Sequence, residues 1–598
     1  MNTTSIRKPL PTSGVRSAAD TSLLSRLMQP LRAIDNQFKT PMSAQKIVVF
    51  LSIYLVLAAN WPLWFQLARI GGAPSLYMRS AFILGVLTAC GLIAILAFTA
   101  WTRGFRLLWL AVAFVAALSQ YYMLTYSVVM DPGMAANVLQ TDAHEVADLL
   151  GWRLFIGVML VFTIPLWWLL RVRIPAMSVV RQSVRNALLL AVSLAVAAAI
   201  IGTMSRDLAP LMRNNPQLRY MLNPIASLYS TSVSVIRPLI TKRKSLVPMG
   251  AGAALGQSFA DQKKPPLFVL VVGETGRADH FGLNGYARDT TPQLAARDVV
   301  NWKDVHSCGT STLASVPCMF SPVGKKAFES RKDDYETLLD VVQAAGMYVL
   351  WIDNQSGCKG VCDRVPHASA SDGLNSEQRK RYCDASGECR DMVMLDNIDQ
   401  RIAAIPADKR ANGVLLVLHQ MGSHGPAYSK RSSASTKQFK PECTTEVLAD
   451  CAHTELMNAY DNSILETDKF LGRTIDWLKT QSSTFDTGML YLSDHGESLG
   501  EYGQFLHGLP YSIAPEVQKH VPMVAWLDAD LLKRGQLSEQ CLKGTADAPY
   551  THDNLYHSML GILDVKSPSY EPTLDIFAQC RAGAVAQAKP AAGSQTEF

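Results

Sequence analysis

Nearly all of the long apolar runs in this chain fall before residue 205, at about 47–68, 80–101, 107–129, 152–170 and 186–204. Each is near the roughly 20 residues that a helix needs to cross a bilayer. A core helix would carry a polar stripe at helical spacing. These runs carry almost none, so the pattern predicts five transmembrane helices. The first run is not a cleaved leader, because it follows a polar segment of roughly 45 residues and is too long for a signal core.

The pattern changes after about residue 264. "PLFVLVVG", "MYVLWID", "GVLLVLH", "GMLYLSD" and "VPMVAWL" are continuous apolar runs of the kind buried on both faces of a sheet. Between them, "YETLLDVVQAAG" and "YDNSILETDKFLGRTIDWLKT" place apolar residues at three- and four-residue steps, Leu471, Ile475 and Leu478 among them. This alternation predicts an α/β domain, a mainly parallel sheet covered by helices on both faces in three layers. The expected organisation is a basic tail over 1–45, a transmembrane domain over 46–204, a connector over 205–263, a catalytic domain over 264–580 and a disordered tail over 581–598.

The net charge of +6 gains its meaning from where the basic residues lie. Arg26, Arg32, Lys39 and Lys46 precede the first run, Arg103 and Arg106 lie between the second and third, and Arg171, Arg173, Arg181 and Arg185 between the fourth and fifth. The segment 130–150 between the third and fourth runs holds acids but no Lys or Arg. Basic loops stay in the cytoplasm. An odd number of spans then sends everything after 205 outside the inner membrane of a bacterium, into the periplasm. The positive surplus is topological, and no nucleic-acid partner is expected.

Cysteine usage agrees with an oxidising compartment. Ten of the eleven cysteines lie beyond residue 300, and eight form close pairs: Cys308/Cys318, Cys358/Cys362, Cys383/Cys389 and Cys443/Cys451. Disulfides closing short loops are the expected reading. A structural zinc site built from the middle four is the rival. Cys541 and Cys580 are left open as a fifth pair.

Ligands of parallel α/β sheets gather outside the carboxyl ends of the strands. Those ends carry Glu274, Asp353, His419 and His424, and the pair Asp494–His495. Singly, each has a bland explanation as a cap, a turn or a polar loop. Together they favour a metal, since His, Asp and Glu are ordinary zinc ligands. Adjacent strand residues point to opposite faces, so Asp494 and His495 can share an ion only if the chain turns there, and Gly496 would allow that. In "SCGTSTLASVPC" the hydroxyls of Ser307, Thr310, Ser311, Thr312 and Ser315 are candidates for a metal-activated nucleophile, and spacing does not choose among them. A helix starting after Gly309 would aim free amides at a phosphate.

The motifs "VVGETGRADHFGLNGY" (271–286), "SCGTSTLASVPCMFS" (307–321), "HQMGSHGPAY" (419–428), "YLSDHGESLGE" (491–501) and "LHGLP" (506–510) closely resemble the lipid A phosphoethanolamine transferases, the group that includes the colistin-resistance enzymes. The resemblance implies an alkaline-phosphatase-like hydrolase domain tethered outside the inner membrane. It implies Thr312 as nucleophile, with Glu274, Thr312, Asp494 and His495 holding Zn2+. His424 and His507 would line the substrate site, carry protons and bind a second zinc. Ser356 and Lys359 of "NQSGCKG" would contact phosphoethanolamine, and Asn137, Thr141 and Glu145 the donor lipid. Their four-residue steps would put the last three on one helix face. The implied reaction moves phosphoethanolamine from phosphatidylethanolamine to a phosphate of lipid A in lipopolysaccharide, through phosphoethanolamine-threonine, and gives resistance to polymyxin and other cationic peptides.

Three rivals remain. A sulfatase needs an Arg where this chain has Met319, in a motif that Ser315 and Pro317 otherwise fit. A phosphoglycerol transferase, or a phosphoethanolamine transferase acting on another envelope glycan, would share the layout. A membrane-anchored lipid or metal sensor would be expected to have lost a ligand or Thr312, and neither is lost.

Overall fold

The computed structural model describes residues 41–70, 74–101, 103–141, 146, 149–240, 245–261, 263–385 and 387–582. Most of both expected tails, and Glu145, lie outside these residues. The chain divides into two compact units, Met1–Ala59, Gly71–Ala117 and Ile156–Ala209 in the first, and Asn60–Ile70, Leu118–Phe155 and Pro210–Phe598 in the second.

Met78–Ala97, Arg106–Tyr126, Trp152–Arg171 and Val179–Ser205 are each long and apolar enough to cross a membrane. Only 6% of the Val179–Ser205 window is buried inside the protein, so its apolar surface requires lipid. The single span expected over 47–68 is instead two helices, Ala44–Ala58 and Trp61–Ile70, which pass the test only as a pair, giving four spans or up to five. The break has local causes. Asn60 exchanges hydrogen bonds with the Asn223 backbone, at 2.7 and 2.9 Å, and Pro62 follows. A proline lacks an amide and disfavours helix in the residue before it. Within the first unit, the Tyr54 hydroxyl donates to the Val161 carbonyl at 2.8 Å and Gln45 to Asn186 at 2.6 Å.

The second unit is built on a seven-stranded sheet: β1 (Pro266–Gly273), β2 (Val300–Trp302), β3 (Tyr348–Asp353), β4 (His367–Ser369), β5 (Val414–His419), β6 (Asp486–Ser493) and β7 (Met523–Leu527). Their order is β2-β7-β6-β1-β5-β3-β4. Only β7 runs antiparallel to its neighbours. Every residue of β1, β5 and β6 is buried, as expected for central strands covered on both faces.

The pleat sorts β1 between two cores. Phe268, Leu270 and Val272 belong to one, with Val316, Met319 and Leu560. Leu267, Val269 and Val271 belong to the other, with Tyr460, Leu471, Ile475 and Leu478. The helices that frame the site are α1 (Pro132–Gln140), α2 (Ile225–Ile240), α3 (Thr312–Met319), α4 (His453–Gln481) and α5 (Asp553–Ile562). The expected connector is mostly ordered. Ser230 and Ser234 of α2 donate to the carbonyls of Met130 and Pro132 at 2.8 and 3.0 Å, holding the entry to α1.

Five disulfides brace the loops: Cys308–Cys318, Cys358–Cys362, Cys383–Cys389, Cys443–Cys451 and Cys541–Cys580. The rival zinc site is thereby excluded, because its four sulfurs are joined to one another in pairs.

Leu471 is fully buried beneath the sheet. Leu471→Ala is expected to cost about 2–5 kcal/mol. The check is the unfolding temperature of the full chain in detergent, and an unchanged transition would contradict this packing.

Candidate active site and metal centre

The register of the central strands puts two carboxylates side by side. Ser493 of β6 pairs with Gly273 of β1, so Asp494 and Glu274 are the next residues out, and the Asp494 amide bonds the Gly273 carbonyl at 2.9 Å. Both chains then leave the sheet. Thr275 takes a φ of +52°, strained for a β-branched residue. The Tyr460 hydroxyl of α4 holds it, donating to the Thr275 carbonyl at 2.6 Å and accepting the Arg277 amide at 3.0 Å. On the other strand, a side chain on Gly496 would stand 2.0 Å from the Val517 carbonyl. With no β-carbon there, the chain turns and His495 swings to the same side as Asp494.

Glu274, Asp494 and His495 thus offer ligand atoms that all lie within 4.8 Å of one another. His495 Nε2 stands 3.2 Å from Glu274 Oε1 and 3.4 Å from Asp494 Oδ2. All three of these buried atoms lack a hydrogen-bond partner. Nδ1 of His495 donates to the Gly496 carbonyl at 2.9 Å, which points Nε2 at the carboxylates. Orphaned acceptors converging in a dry place fit a cation, and one imidazole with two carboxylates is a donor set that zinc accepts.

The titration behaviour expresses the same demand. Burial pushes Asp494 up to about 7, with the charge of Glu274 adding to it. Burial pulls His495 down, but the Asp494 and Glu274 carboxylates outweigh it and carry the imidazole up to about 10. Burial would raise Glu274 too, and the His495 cation instead holds it below the usual carboxylate range.

Each hydroxyl of the cysteine-closed loop has a different destination. Ser307 donates to the Gly309 carbonyl at 2.6 Å, Thr310 to Leu509 at 2.5 Å, Ser311 to Asn137 Oδ1 at 3.3 Å and Ser315 to the Asp494 carbonyl at 2.5 Å. Thr312 alone of the five meets the carboxylates, with Oγ1 3.0 Å from Glu274 Oε2. It is the first residue of α3, with Ser311 as N-cap, so the helix amides open on this spot.

A second group shares Glu274. His424 and His507 offer atoms within 4.8 Å of it and of each other. Ring centroids lie 5.2 Å apart for His424 and His507 and 4.3 Å apart for His495 and His507. Glu497 stands 3.2 Å from His507 Nδ1. Asp353 and His419 do not join either group. They pair with each other at 2.7 Å.

Ser356 and Lys359 lie in the loop after β3, where the Lys359 ammonium donates to the Ser356 hydroxyl at 2.6 Å. Asn137 reaches the Cys308–Cys318 loop through Ser311. Thr141 does not share its helix face, because α1 ends at Gln140 and Thr141 is extended, its hydroxyl capping the Asn137 carbonyl at 2.8 Å. The four-residue spacing therefore does not continue as helix through Thr141.

The comparisons with known proteins follow this geometry. Residues 87–238 match the model of the family described as phosphoethanolamine transferase EptA/EptB, and residues 266–565 match that described as sulfatase. The chain is 39% identical to phosphoethanolamine transferase EptA of Salmonella typhimurium over 80% of this chain and 86% of that one. The chain belongs to the phosphoethanolamine transferase family. It is therefore an enzyme.

Phosphatidylethanolamine transferase Mcr-1 of Escherichia coli is 38% identical over 75% of this chain and 82% of its own. In structure, the integral membrane lipooligosaccharide phosphoethanolamine transferase A of Neisseria meningitidis superposes with a TM-score of 0.83 at 31% identity, covering 90% of this chain and 99% of that one. The membership fits integral-membrane N-terminal helices joined to a sulfatase-like α/β domain. Met319, where a sulfatase needs Arg, is fully buried in the core, a place that would not hold an unpaired guanidinium.

Four residues with a place in this framework escape the strand-end rule. Gln355 lies two residues past Asp353, and Glu497 two residues past His495, each just beyond the strand end. Asp391 follows no apolar run. Neither does His552, which accepts the Cys308 amide at 3.1 Å and donates to the Ser493 carbonyl at 3.0 Å. Burial holds His552 down at about 3, so it stays neutral and ties the Cys308–Cys318 loop to the end of β6.

Gly496→Ala is expected to displace His495 and weaken divalent-metal affinity by about 10–100-fold, the usual size of an orientation defect beside a ligand. Chelator competition on the full chain measures it, and an unaltered affinity would contradict the role of the turn.

Proposed function

We propose that the chain transfers phosphoethanolamine from phosphatidylethanolamine to a phosphate group of lipid A, with Thr312 as the transient carrier. The observation that carries this reading is the contact of the Thr312 hydroxyl, out of five candidates, with the Glu274 carboxylate beside Asp494 and His495. Glu274, Asp494, His495 and Thr312 would hold zinc, and His424 and His507 a second ion during turnover. Zinc bound there supplies Lewis acidity, lowering the pKa of a hydroxyl and offsetting charge that develops on phosphorus.

The donor diester is anionic and resists neutral alcohols. The Thr312 proton passes to His424 or His507 as Oγ1 attacks phosphorus. The bond from phosphorus to the diacylglycerol oxygen breaks, and the same imidazole returns the proton to that oxygen. A lipid A phosphate then gives its proton to that imidazole and attacks the same phosphorus through the freed oxygen, forming a P–O–P link, and the Thr312 oxygen leaves and takes the proton back. The α3 amides face the phosphoryl oxygens in both steps. Ser356 and Lys359 hold the phosphoethanolamine, and Asn137, Thr141 and Glu145 the donor lipid.

Five crossings of the bacterial inner membrane, with the basic loops in the cytoplasm and the segments 205–263 and 264–580 in the periplasm, would keep both lipids in one interfacial layer with the site. Capping a phosphate with a zwitterionic group lowers the negative charge of the outer surface, which is how the reaction would reduce attraction of polymyxin and other cationic peptides.

Purified full chain incubated with phosphatidylethanolamine is expected to carry a phosphoethanolamine adduct on the peptide containing Thr312, discharged when lipid A is added. Thr312→Ala is expected to form no adduct while remaining folded and binding zinc more weakly. Normal transfer by this variant would overturn the assignment. Chelation is expected to abolish adduct formation and zinc to restore it, with activity after complete metal removal as the contrary result.

A further inference from the structure

The Glu274 carboxylate is shared. Its Oε1 faces His495 and has no hydrogen-bond partner. Its Oε2 receives two donors, the Thr312 hydroxyl at 3.0 Å and the Gln355 amide Nε2 at 3.2 Å. The other end of the same amide is also engaged, because Gln355 Oε1 accepts the Ser356 amide and, at 2.6 Å, the Ser356 hydroxyl. Ser356 in turn receives the Lys359 ammonium at its hydroxyl and, at 2.8 Å, at its carbonyl. A continuous chain of hydrogen bonds therefore runs from Lys359 through Ser356 and Gln355 to the carboxylate oxygen on which Thr312 rests.

The loop that carries Gln355 is fixed on both sides. Before it, the Asn354 amide bonds the His419 carbonyl at 2.9 Å, and its side chain donates to Asp391 Oδ1 at 2.8 Å and to the Cys389 carbonyl at 2.9 Å. Asp391, pushed up to about 6 by burial, also accepts the amides of Met421 and Gly422 at 2.8 and 2.9 Å. Gly422 is pressed against Glu274, where a β-carbon would stand 2.5 Å from the Glu274 carbonyl. After Gln355, the Gly357 amide bonds Asp353 Oδ2 at 2.8 Å, and Cys358–Cys362 closes the turn. Held at both ends, the Gln355 side chain has a defined aim rather than an adaptable one.

We propose that Gln355 is a positioning residue: its carboxamide locks the Glu274 carboxylate so that Oε1 is presented to the cation and Oε2 to the Thr312 hydroxyl, and it ties that geometry to the Ser356–Lys359 loop. A carboxylate rotated by half a turn would exchange its two oxygens without cost were both partners alike. An amide N–H fixed over Oε2 breaks the equivalence. The role rests on the reading of Glu274 as a metal ligand and Thr312 as the carrier.

Full-length protein in detergent tests it with two variants and three readouts. Gln355→Ala is expected to weaken zinc binding about 10–100-fold in chelator competition, to slow Thr312 adduct formation at saturating zinc at least tenfold, and to leave the unfolding temperature of the zinc-free protein unchanged. Gln355→Glu keeps the length but cannot donate to Oε2. It is expected to slow adduct formation as much as Ala while zinc binding is retained or tightened by the added charge, a divergence that a merely structural residue would not produce. Wild-type zinc affinity and adduct rate in Gln355→Ala would overturn the proposal. So would a loss of both matched by a fall in the zinc-free unfolding temperature, or normal adduct formation by Gln355→Glu. If the wild type itself forms no Thr312 adduct, the reading of the reaction fails, and the zinc titrations still decide whether Gln355 orients Glu274.

Discussion

Two carboxylates stand side by side in a place from which water is excluded, Glu274 at 1% exposure and Asp494 at 0%. Bare like charges in such a site are costly, and a compensating cation is the condition on which the arrangement exists. A proton on His495 meets that condition weakly, because an imidazolium offers one N–H to two acceptors. A divalent ion would meet it with twice the charge. The surrounding structure can be understood as the means of keeping this unfavourable cluster together. The β1–β6 ladder sets its spacing, α4 clamps the strained residue after Glu274 through Tyr460, and His552 binds the Cys308–Cys318 loop to the end of β6.

The cluster draws on five stretches of chain, at Glu274, Thr312, His424, Asp494–His495 and His507. A parallel sheet brings strand ends to one edge at no cost in chain length, which explains Glu274 and Asp494. It does not explain Thr312, which reaches the edge from α3, or His507, which comes from a loop past β6. Those two are positioned by covalent closure, Cys308–Cys318 on the first, and by a backbone hydrogen bond between the loops, from the Gly508 amide to the Thr310 carbonyl at 2.7 Å. The same loop pair meets α1 through Ser311 and Asn137, so a helix that follows an apolar segment contributes directly to the site's border.

Much of this was legible in the sequence. Continuous apolar runs marked the central strands β1, β5 and β6, although the run over Met523–Leu527 became the antiparallel β7, and the residues ending the runs included the carboxylates. The turn at Gly496 was inferable because period-two geometry forbids Asp494 and His495 from sharing an ion otherwise. What escaped is equally physical. Spacing could not separate Thr312 from its neighbours, since the choice depends on which hydroxyl faces Glu274 after the loop is closed. The break at Asn60 was only half visible inside an apolar run: Pro62 stands in the sequence, but the Asn223 backbone that holds Asn60 lies 163 residues away. Thr141 looked like a helix-face residue by its interval from Asn137, but α1 ends at Gln140 and the Thr141 backbone is extended. Gln355 and Asp391 carry no periodic signal. Their importance comes only from partners distant in the chain.

Anomalous diffraction at the zinc edge, from crystals of the full chain grown with zinc, tests the site most directly. The expected result is a peak bounded by Glu274, Asp494, His495 and the Thr312 oxygen. A zinc peak elsewhere, with these four groups facing no ion, would contradict it.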